Sequence, residues 1–353
     1  MQNIKQKAPR TNTIDKNGNI LTCNYCHSLK IFKDGKTKYG KQRYGCHNCK
    51  RRSTLFNILY NKEFNQEKFP PNKEMDIEEL INYRIKKFKI KQKRDFYEKL
   101  VNININIDGA IGIAHFGDPH VDDDGTDLSE IFSITNLINK TKGMFAGNLG
   151  DIQNNWIGRL ARLYANQTTT AKESWMLSEH FVKSLEWLYL VGGNHDVWSG
   201  DGDPLEFIIR NSQTVYSNHG VRINLKFPNK KQVRINARHQ FKGHSMWNTA
   251  HSVSRAIQMG WRDHIVTAGH THVSGYQVLK DPSSGLISHA LQVGSFKRMD
   301  EYANKNGLDD KNIFNCPVTI IDPNYGDDDN RLITTIFDPH EASDYLTWKR
   351  LQK

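Results

Sequence analysis

From residue 101 onward the chain is a succession of short apolar runs, each closed by a polar cluster, and no other feature of the sequence restricts its fold as much. "VNININI" alternates with period two, while "AIGIAHFG", "GMFAGNLG", "WLYLVGGN", "VRINARH" and "HIVTAGH" are short and apolar. Runs of this length predict strands, and a near-continuous one such as "AIGIAHFG" predicts a strand covered on both faces. Amphipathic stretches at 127–140, 156–166 and 171–187 lie between the early runs and predict helices. Strands alternating with helices give an α/β fold, a sheet layered with helices, in which the loops at strand ends carry function.

The closing clusters hold metal-binding side chains. In order they are Asp118-Pro119-His120, Gly150-Asp151-Ile152-Gln153-Asn154, Gly193-Asn194-His195-Asp196, His239, and Gly269-His270-Thr271-His272. The first lies in "GDPHVDDDG", which invites comparison with a calcium-binding loop. With Gly125 as the invariant glycine, Asp122 and Asp124 fall correctly, but His120 takes the first position and Ile131 the last, so that reading fails at both ends. Carboxylate, amide and imidazole groups spread over five strand ends suit a divalent metal site assembled by the fold.

These clusters resemble the motifs of the calcineurin-like metallophosphoesterase superfamily, D-x-H, G-D-x-x-[DN], G-N-H-[DE], H and G-H-x-H, over about residues 111–295. The resemblance implies a metallophosphoesterase-type β-sandwich flanked by helices, filling residues 101–353, with two divalent ions at one edge. One ion would be held by Asp118, His120, Asp151 and His272, the other by Asp151, Asn194, His239 and His270, with Asp151 bridging. With such a site a hydroxide between the ions would attack phosphorus while His195, beside the site, acts as general acid; Asp196 is a candidate to orient His195 on the ground of adjacency alone. The mixed donor set puts manganese first, with iron, zinc or magnesium as alternatives.

Three points around these motifs stay open. Either His239 or His244 in "ARHQFKGHSMWN" could supply the fourth motif, and His239 is favoured because it directly ends a strand; His244 and His251 would then line the substrate cleft or the surface. In "QVGSFKRMDEY", Ser295, Lys297 and Arg298 offer phosphate contacts or simply a solvated helix start. Asp122, Asp123 and Asp124 read as a solvated acidic loop, or as caps for a helix beginning near Asp127. The serine/threonine phosphatases of the superfamily carry Asp-Arg and G-N-H-E where this chain has Asn154-Asn155 and Asp196, so their arginine phosphate clamp is missing. Asn154 becomes a candidate substrate contact, and G-N-H-D, shared with phosphodiesterases and break-repair nucleases, favours a diester substrate.

Charge points to the same class of substrate. Residues 1–52 hold 13 Lys and Arg against Asp15 and Asp34, whereas the other 301 residues carry 36 of each sign. The whole net charge of +11 therefore sits at the front, as an electrostatic footprint for a polyanion. Within it, Cys23-Asn24-Tyr25-Cys26 and Cys46-His47-Asn48-Cys49 are separated by 19 residues, the spacing of a structural zinc site closed by four thiolates. The intervening segment predicts a hairpin turning at Asp34-Gly35, and "KYGKQRYGCHNCKRR" resembles the zinc ribbons of transposases. This gives a basic arm at 1–20, a zinc ribbon at 21–54 and a helical connector at 55–100. The connector contains the Pro70-Pro71 break, a capping pair Asp76 and Glu79, and an apolar stripe at Ile77, Leu80, Ile81, Ile85 and Phe88. Cys316 reads as a buried strand residue.

No apolar run approaches the roughly 20 residues a membrane span needs, and the basic N-terminus does not read as a secretory signal, so a cytoplasmic protein with no membrane partner is expected. Taken together the residues predict a two-metal phosphodiesterase or nuclease tethered to nucleic acid by its ribbon, an association that resembles phage or mobile-element proteins. The alternatives are a phosphomonoesterase acting on protein or a small molecule, and a non-catalytic nucleic-acid-binding protein with a vestigial metal site.

Overall fold

The computed structural model describes residues 20–59, 75–156, 158–197, 204–299, 304–305, 307 and 314–352. Except for Ile20, the basic arm lies outside the described residues, as does Pro70-Pro71. The chain divides into two compact units, Met1–Asn82 and Tyr83–Lys353.

In the first unit, β1 (Ile20–Cys23) pairs antiparallel with β5 (Phe56–Leu59), and β2 (Ile31–Lys36), β3 (Gln42–Cys46) and β4 (Arg52–Ser53) form a second antiparallel sheet. The ribbon therefore reaches Leu59 and not residue 54, because β5 is recruited by a strand more than thirty residues earlier. The hairpin turn also differs from the expected Asp34-Gly35. Both residues lie within β2, Gly35 takes φ +68° at a register shift between Lys33 and Lys36, and the chain reverses at Thr37–Gly40. Asp34 is used to pin the sheet, its carboxylate lying 3.1 Å from Arg43 Nε and 2.8 Å from Arg52 Nε. The buried core is Leu21, Ile31, Cys23 and Cys46, too small to hold a fold without a cross-link or metal.

Helix α1 (Ile77–Glu98) starts where Asp76 Oδ1 accepts the Glu79 amide at 2.8 Å. Its stripe of Ile77, Leu80, Ile81, Ile85 and Phe88 is exposed.

The second unit is a helix-flanked β-sandwich of two mixed sheets: the strand pattern predicted the α/β layering, and the sandwich is what the resemblance implied. One sheet has the order β10-β9-β8-β7-β16-β17, built from β7 (Ile111–Phe116), β8 (Met144–Asn148), β9 (Trp187–Val191), β10 (Val215–Ser217), β16 (Val318–Ile321) and β17 (Ile333–Ile336). The other has the order β14-β15-β13-β12-β11-β6, from β6 (Val101–Asn104), β11 (Gly220–Lys226), β12 (Gln232–Arg238), β13 (Ile265–Ala268), β14 (Gly275–Lys280) and β15 (Ile287–Gln292). Strands β7 to β10 run parallel, as do β12, β13 and β15, whereas β16 pairs antiparallel with β7 and with the edge strand β17. The helices are α2 (Leu128–Lys140), α3 (Ala171–Lys183), α4 (Pro204–Ile209), α5 (His251–Ala256) and α6 (Pro339–Leu351), with a 3-10 helix at Gly158–Asn166 and a π-turn at Ile257–Trp261.

Every residue of β7 is buried, which explains an apolar run interrupted only by His115. Ile111 and Ile113 face the layer between the sheets, with Tyr189, Ile223, Ile235 and Leu291; Ala114 and Phe116 face a second layer with Ile131 and Ile134 of α2, Phe181 of α3 and Leu346 of α6. A third layer beneath α5 joins Val253 to Val266 and Ala290. Phe116 anchors the end of β7 with its ring 5.3 Å from Trp187 and 5.7 Å from both Phe181 and Phe296. Between the sheets, burial pushes His115 down to about 3, and its neutral ring bridges Tyr189 Oη at 2.6 Å and Thr319 Oγ1 at 2.9 Å. Cys316 is fully buried in the layer with Phe116. No helix among the described residues is long and apolar enough to cross a membrane.

Candidate metal centre

Because β7, β8 and β9 are parallel, their C-terminal ends open on one side, and the loops that follow carry Asp118 and His120, Asp151, and Asn194 and His195. The parallel pair β12 and β13 delivers His239, His270 and His272 in the same way. These loops are strained. Asp118, His120, Asp151, His270 and His272 all have positive φ, between 28° and 70°, a region that non-glycine residues rarely occupy and that concentrates at functional sites.

The side chains converge in two groups. In one, Asp151, His239 and His270 bring ligand atoms within 4.8 Å of one another. His239 Nε2 lies 3.2 Å from Asp151 Oδ2, 2.9 Å from Asn194 Oδ1 and 3.0 Å from His270 Nδ1. In the other, His120 Nε2 faces His272 Nε2 at 3.2 Å, and His272 Nε2 stands 3.7 Å from Asp118 Oδ2. The His120 amide donates to the Asp151 carbonyl at 3.0 Å and so ties the groups together. Asp118, His120 and Asp151 are at most 2 % exposed and form the floor, whereas His270 and His272 are half-buried at the mouth.

Hydrogen bonding within this cluster does not close on itself. His239 Nδ1 must donate to the Leu149 carbonyl at 2.8 Å, which leaves Nε2 as a lone pair aimed at the Asn194 oxygen, the Asp151 carboxylate and a second imidazole. Asp118 Oδ1 and His120 Nδ1 are buried with no hydrogen-bond partner. So many buried acceptors need a positive charge among them. Without a metal that charge is a proton: burial opposes it, but the Asp151 and Asp118 carboxylates push His239 up to about 10. Burial raises Asp118 as well, up to about 7, with Asp151 adding to the shift against the His239 and His272 rings. Burial would also raise Asp151, yet the surrounding imidazoles, His239 first, hold it well below the usual carboxylate range. Burial and then His239 lower His270 to about 4, leaving a neutral imidazole. An ionised Asp151 carboxylate, a neutral His270 imidazole, an amide oxygen and a His239 Nε2 whose proton a cation can replace fit divalent cations.

Gly193 shows how tightly the loops close, since a Cβ there would lie 2.0 Å from Asp151 Oδ1 and 2.3 Å from the Asp151 nitrogen. Gly193→Ala is therefore expected to displace Asp151, costing about 1–3 kcal/mol of stability and lowering metal affinity together. Thermal unfolding with and without added manganese checks this; an unchanged metal-induced rise in Tm would contradict it.

The remaining sequence candidates separate by their partners. His195 Nδ1 donates to the Asn154 carbonyl at 2.5 Å, so its Nε2 faces the cluster, 3.9 Å from Asp151 Oδ2. Asp196 does not take the expected orienting role. Its carboxylate accepts the Ile152 amide at 3.0 Å and the Gly193 amide at 2.8 Å, stapling two loops; burial, then Asp151, pushes it up to about 8. Asn154 is fully buried, its side chain donating to Asp123 and Gln167, so it supports the site and is not placed to touch substrate. Arg298 is clamped to Glu130 at 2.6 Å at the start of α2, and Ser295 donates to the Asp118 carbonyl at 2.7 Å. Lys297 is 6 % exposed, with Nζ 2.9 Å from Asp123. His244 is exposed, whereas His239 lies within the cluster. His251 begins α5.

Sequence reasoning misjudged the acidic run and overlooked Trp156. Asp122 is 1 % exposed and accepts the Asn154 amide at 2.7 Å and Gln167 Nε2 at 3.1 Å, while Asp124 stays exposed and binds Thr168; the run holds Asn154, Gln167 and Thr168, and its first residue is buried. Asp127 itself caps α2, accepting the Glu130 amide at 3.0 Å. Trp156 places its ring 5.2 Å from that of His195, and its only sequence signal was an aromatic residue five positions after Asp151. Gln292 was also missed; its amide donates to the Gly269 carbonyl and Thr271 and so fixes the loop of His270 and His272.

In the first unit, Cys23, Cys26, Cys46 and Cys49 bring their sulfurs within 4.8 Å of one another, with 3.6 Å between Cys23 and Cys49 and 3.7 Å between Cys26 and Cys46. The amides of Tyr25 and Asn48 point at the Cys23 and Cys46 sulfurs, at 3.4 and 3.3 Å. An Arg51 amide favours the Cys49 thiolate, but burial and the other sulfurs outweigh it and push the thiol up to about 11. A metal ion held by the four sulfurs would reverse that balance.

No family profile and no curated protein matches the sequence. Among solved structures it is similar to the NAD nucleotidase NadN of Haemophilus influenzae, with 10 % identity and a TM-score of 0.34 over 64 % of this chain and 49 % of that one. It is similar to a 5′-nucleotidase from Candida albicans at 12 % identity and a TM-score of 0.34, over 69 % of this chain and 55 % of that one. The calcineurin-like phosphoesterase YfkN from Bacillus subtilis shows 11 % identity and a TM-score of 0.33, over 69 % of this chain and 99 % of that one. The chain thus spans about half the length of the first two. Likeness this distant decides nothing about chemistry, which rests on the side chains themselves.

Proposed function

We propose that the second unit is a two-metal phosphoesterase whose substrate is a phosphodiester of nucleic acid, bound through the zinc ribbon. The observation that carries the reading is the convergence of seven ligand-type side chains, from five strand ends, on a buried site whose acceptors have too few protons to share. Asp118, His120, Asp151 and His272 would hold one ion, and Asp151, Asn194, His239 and His270 the other. When bound, such a pair supplies positive charge that neutralises the phosphoryl oxygens and acidifies water.

His195 supplies the proton for the departing oxygen. With Nδ1–H fixed by the Asn154 carbonyl, Nε2 is the atom that takes up and delivers the second proton, on the side facing Asp151; burial lowers the pKa of the ring and the Asp151 carboxylate opposes that shift. Asp196 and Gln292 hold the ligand loops at a fixed spacing, so little reorganisation is needed during the reaction. An arginine clamp of the kind that grips a monoester dianion is missing from the motif, which supports a diester.

The ribbon supports nucleic acid as the substrate. Lys30, Lys33, Lys36, Lys38, Lys41, Lys50, Arg51 and Arg52 are exposed on it, and Tyr25 and Tyr39 lie beside Arg51 and Lys38. Covalent linkage to such a module raises the substrate concentration at the catalytic unit. Cys46→Ser is expected to unfold the ribbon, weakening DNA binding and flattening its salt dependence far more than it slows a small diester. Fluorescence anisotropy at several salt concentrations checks this, and unchanged salt-sensitive affinity would contradict the ribbon's role.

Hydrolysis of bis(p-nitrophenyl) phosphate and p-nitrophenyl phosphate, with and without manganese, together with single- and double-stranded DNA and RNA, tests the proposal. Manganese-dependent cleavage of the diester and of at least one nucleic acid is expected. A preference for the monoester, with every nucleic acid left intact, would replace the reading with a phosphomonoesterase.

A further inference from the structure

A cavity of about 300 Å³ opens beside the candidate proton donor, and neither the metal cluster nor the hydrophobic layers account for it. Trp156, Leu163 and Met299 give it apolar walls, while Asp123, Gln167 and Lys297 give it polar ones. Trp156 belongs to none of the unit's buried cores, yet it is held against the site. Its ring meets His195 edge-on at 5.2 Å, and Lys297 Nζ lies 5.9 Å from its centroid. His195 in turn meets His120 at 5.2 Å, so metal cluster, proton donor and tryptophan form one continuous wall.

We propose that this cavity is a nucleoside pocket that receives the leaving group, with Trp156 as its stacking platform. The inference rests on the phosphodiesterase reading, because a group protonated by His195 must depart on the His195 side. Its chemistry follows from the lining. The lining holds two lysines, Lys297 and Lys305, and two aspartates, Asp123 and Asp124, with Lys297 paired to Asp123, so the wall is close to neutral and does not gather the positive charge a further phosphate would need. A half-buried indole with leucine and methionine suits a flat apolar ring, and the exposed amide of Asn166 suits a ring with hydrogen-bonding edges, while Gln167 is held by Asp122 and Asn154 and shapes the wall. A nucleobase has both. The volume is at the small end of ligand sites and suits one nucleoside, so recognition on this side of the scissile bond would stop at the first residue.

The test compares two diesters of the same nucleotide, one with a nucleoside and one with methanol as leaving group. Wild-type protein is expected to favour the nucleoside ester in kcat/KM, and Trp156→Ala to reduce that ratio by about 10- to 100-fold, or about 1.4–2.8 kcal/mol at 1.4 kcal/mol per tenfold. Trp156→Phe should retain most of the ratio, which guards against a variant that merely misfolds. As a readout independent of turnover, saturation-transfer NMR on metal-free protein should show transfer to the base protons of free adenosine, lost in Trp156→Ala. If both diesters are cleaved with equal kcat/KM by wild type and variants alike, the pocket is overturned while the phosphodiesterase reading stands. If wild type cleaves neither with manganese present, both are overturned.

Discussion

Asp151→Asn is expected to lose both bound metal and turnover. The substitution keeps the shape of the side chain and removes its charge, and Asp151 is the one carboxylate of the cluster held firmly ionised, by imidazoles that outweigh its burial. An amide at this position would face the His239 Nε2 lone pair, now 3.2 Å from Asp151 Oδ2, and would leave two cations without the shared negative charge that offsets their repulsion. Loss of an outer hydrogen-bond partner typically costs roughly 10–100-fold in metal affinity, and loss of the bridging charge should exceed that. Metal content after dialysis and diester hydrolysis, measured on the same preparation, check it. Full metal content with full activity would remove Asp151 from the site.

His195→Ala should behave in the opposite way, retaining metal while kcat falls by about 10²–10⁴-fold. Its imidazole is held from behind by the Asn154 carbonyl and stands 3.9 Å from Asp151 Oδ2, beyond hydrogen-bond distance of that ligand. Leaving-group chemistry gives a sharper criterion than the loss itself. Departure of p-nitrophenolate needs little protonation and an alkoxide needs much, so the variant should lose more on an alkyl ester than on the p-nitrophenyl ester. Equal losses on both would assign His195 a structural role.

Much of this site was legible because its determinants are local. Asp118 and His120, or His270 and His272, sit two residues apart directly after strands whose buried faces dictate apolar runs, so motif and strand announce each other. Less was legible where the partner is remote. Asp122 looks solvated until the segment around Asn154 folds over it, and Asp124, which stays exposed, takes Thr168 as its partner. Asp196 is next to His195 in sequence, but its carboxylate is claimed by amides at Ile152 and Gly193, and adjacency misled. The same holds for β5, whose pairing with β1 extends the ribbon beyond its last cysteine, and for Asp34-Gly35, where a turn-forming dipeptide makes a bulge and leaves the reversal to Thr37–Gly40. Trp156 carries no motif; only the closure of its loop over His195 gives it a place.

The central claim, that the loops after five strands assemble a two-metal site, is tested most directly by counting metal. Elemental analysis of purified protein and of Asp151→Asn, each loaded with manganese and dialysed, is predicted to show two ions per chain beyond the zinc held by Cys23, Cys26, Cys46 and Cys49 in the wild type. In the variant those two should be lost and the zinc retained. Zinc alone in the wild type, with diester hydrolysis undiminished by chelation of other metals, would contradict the account.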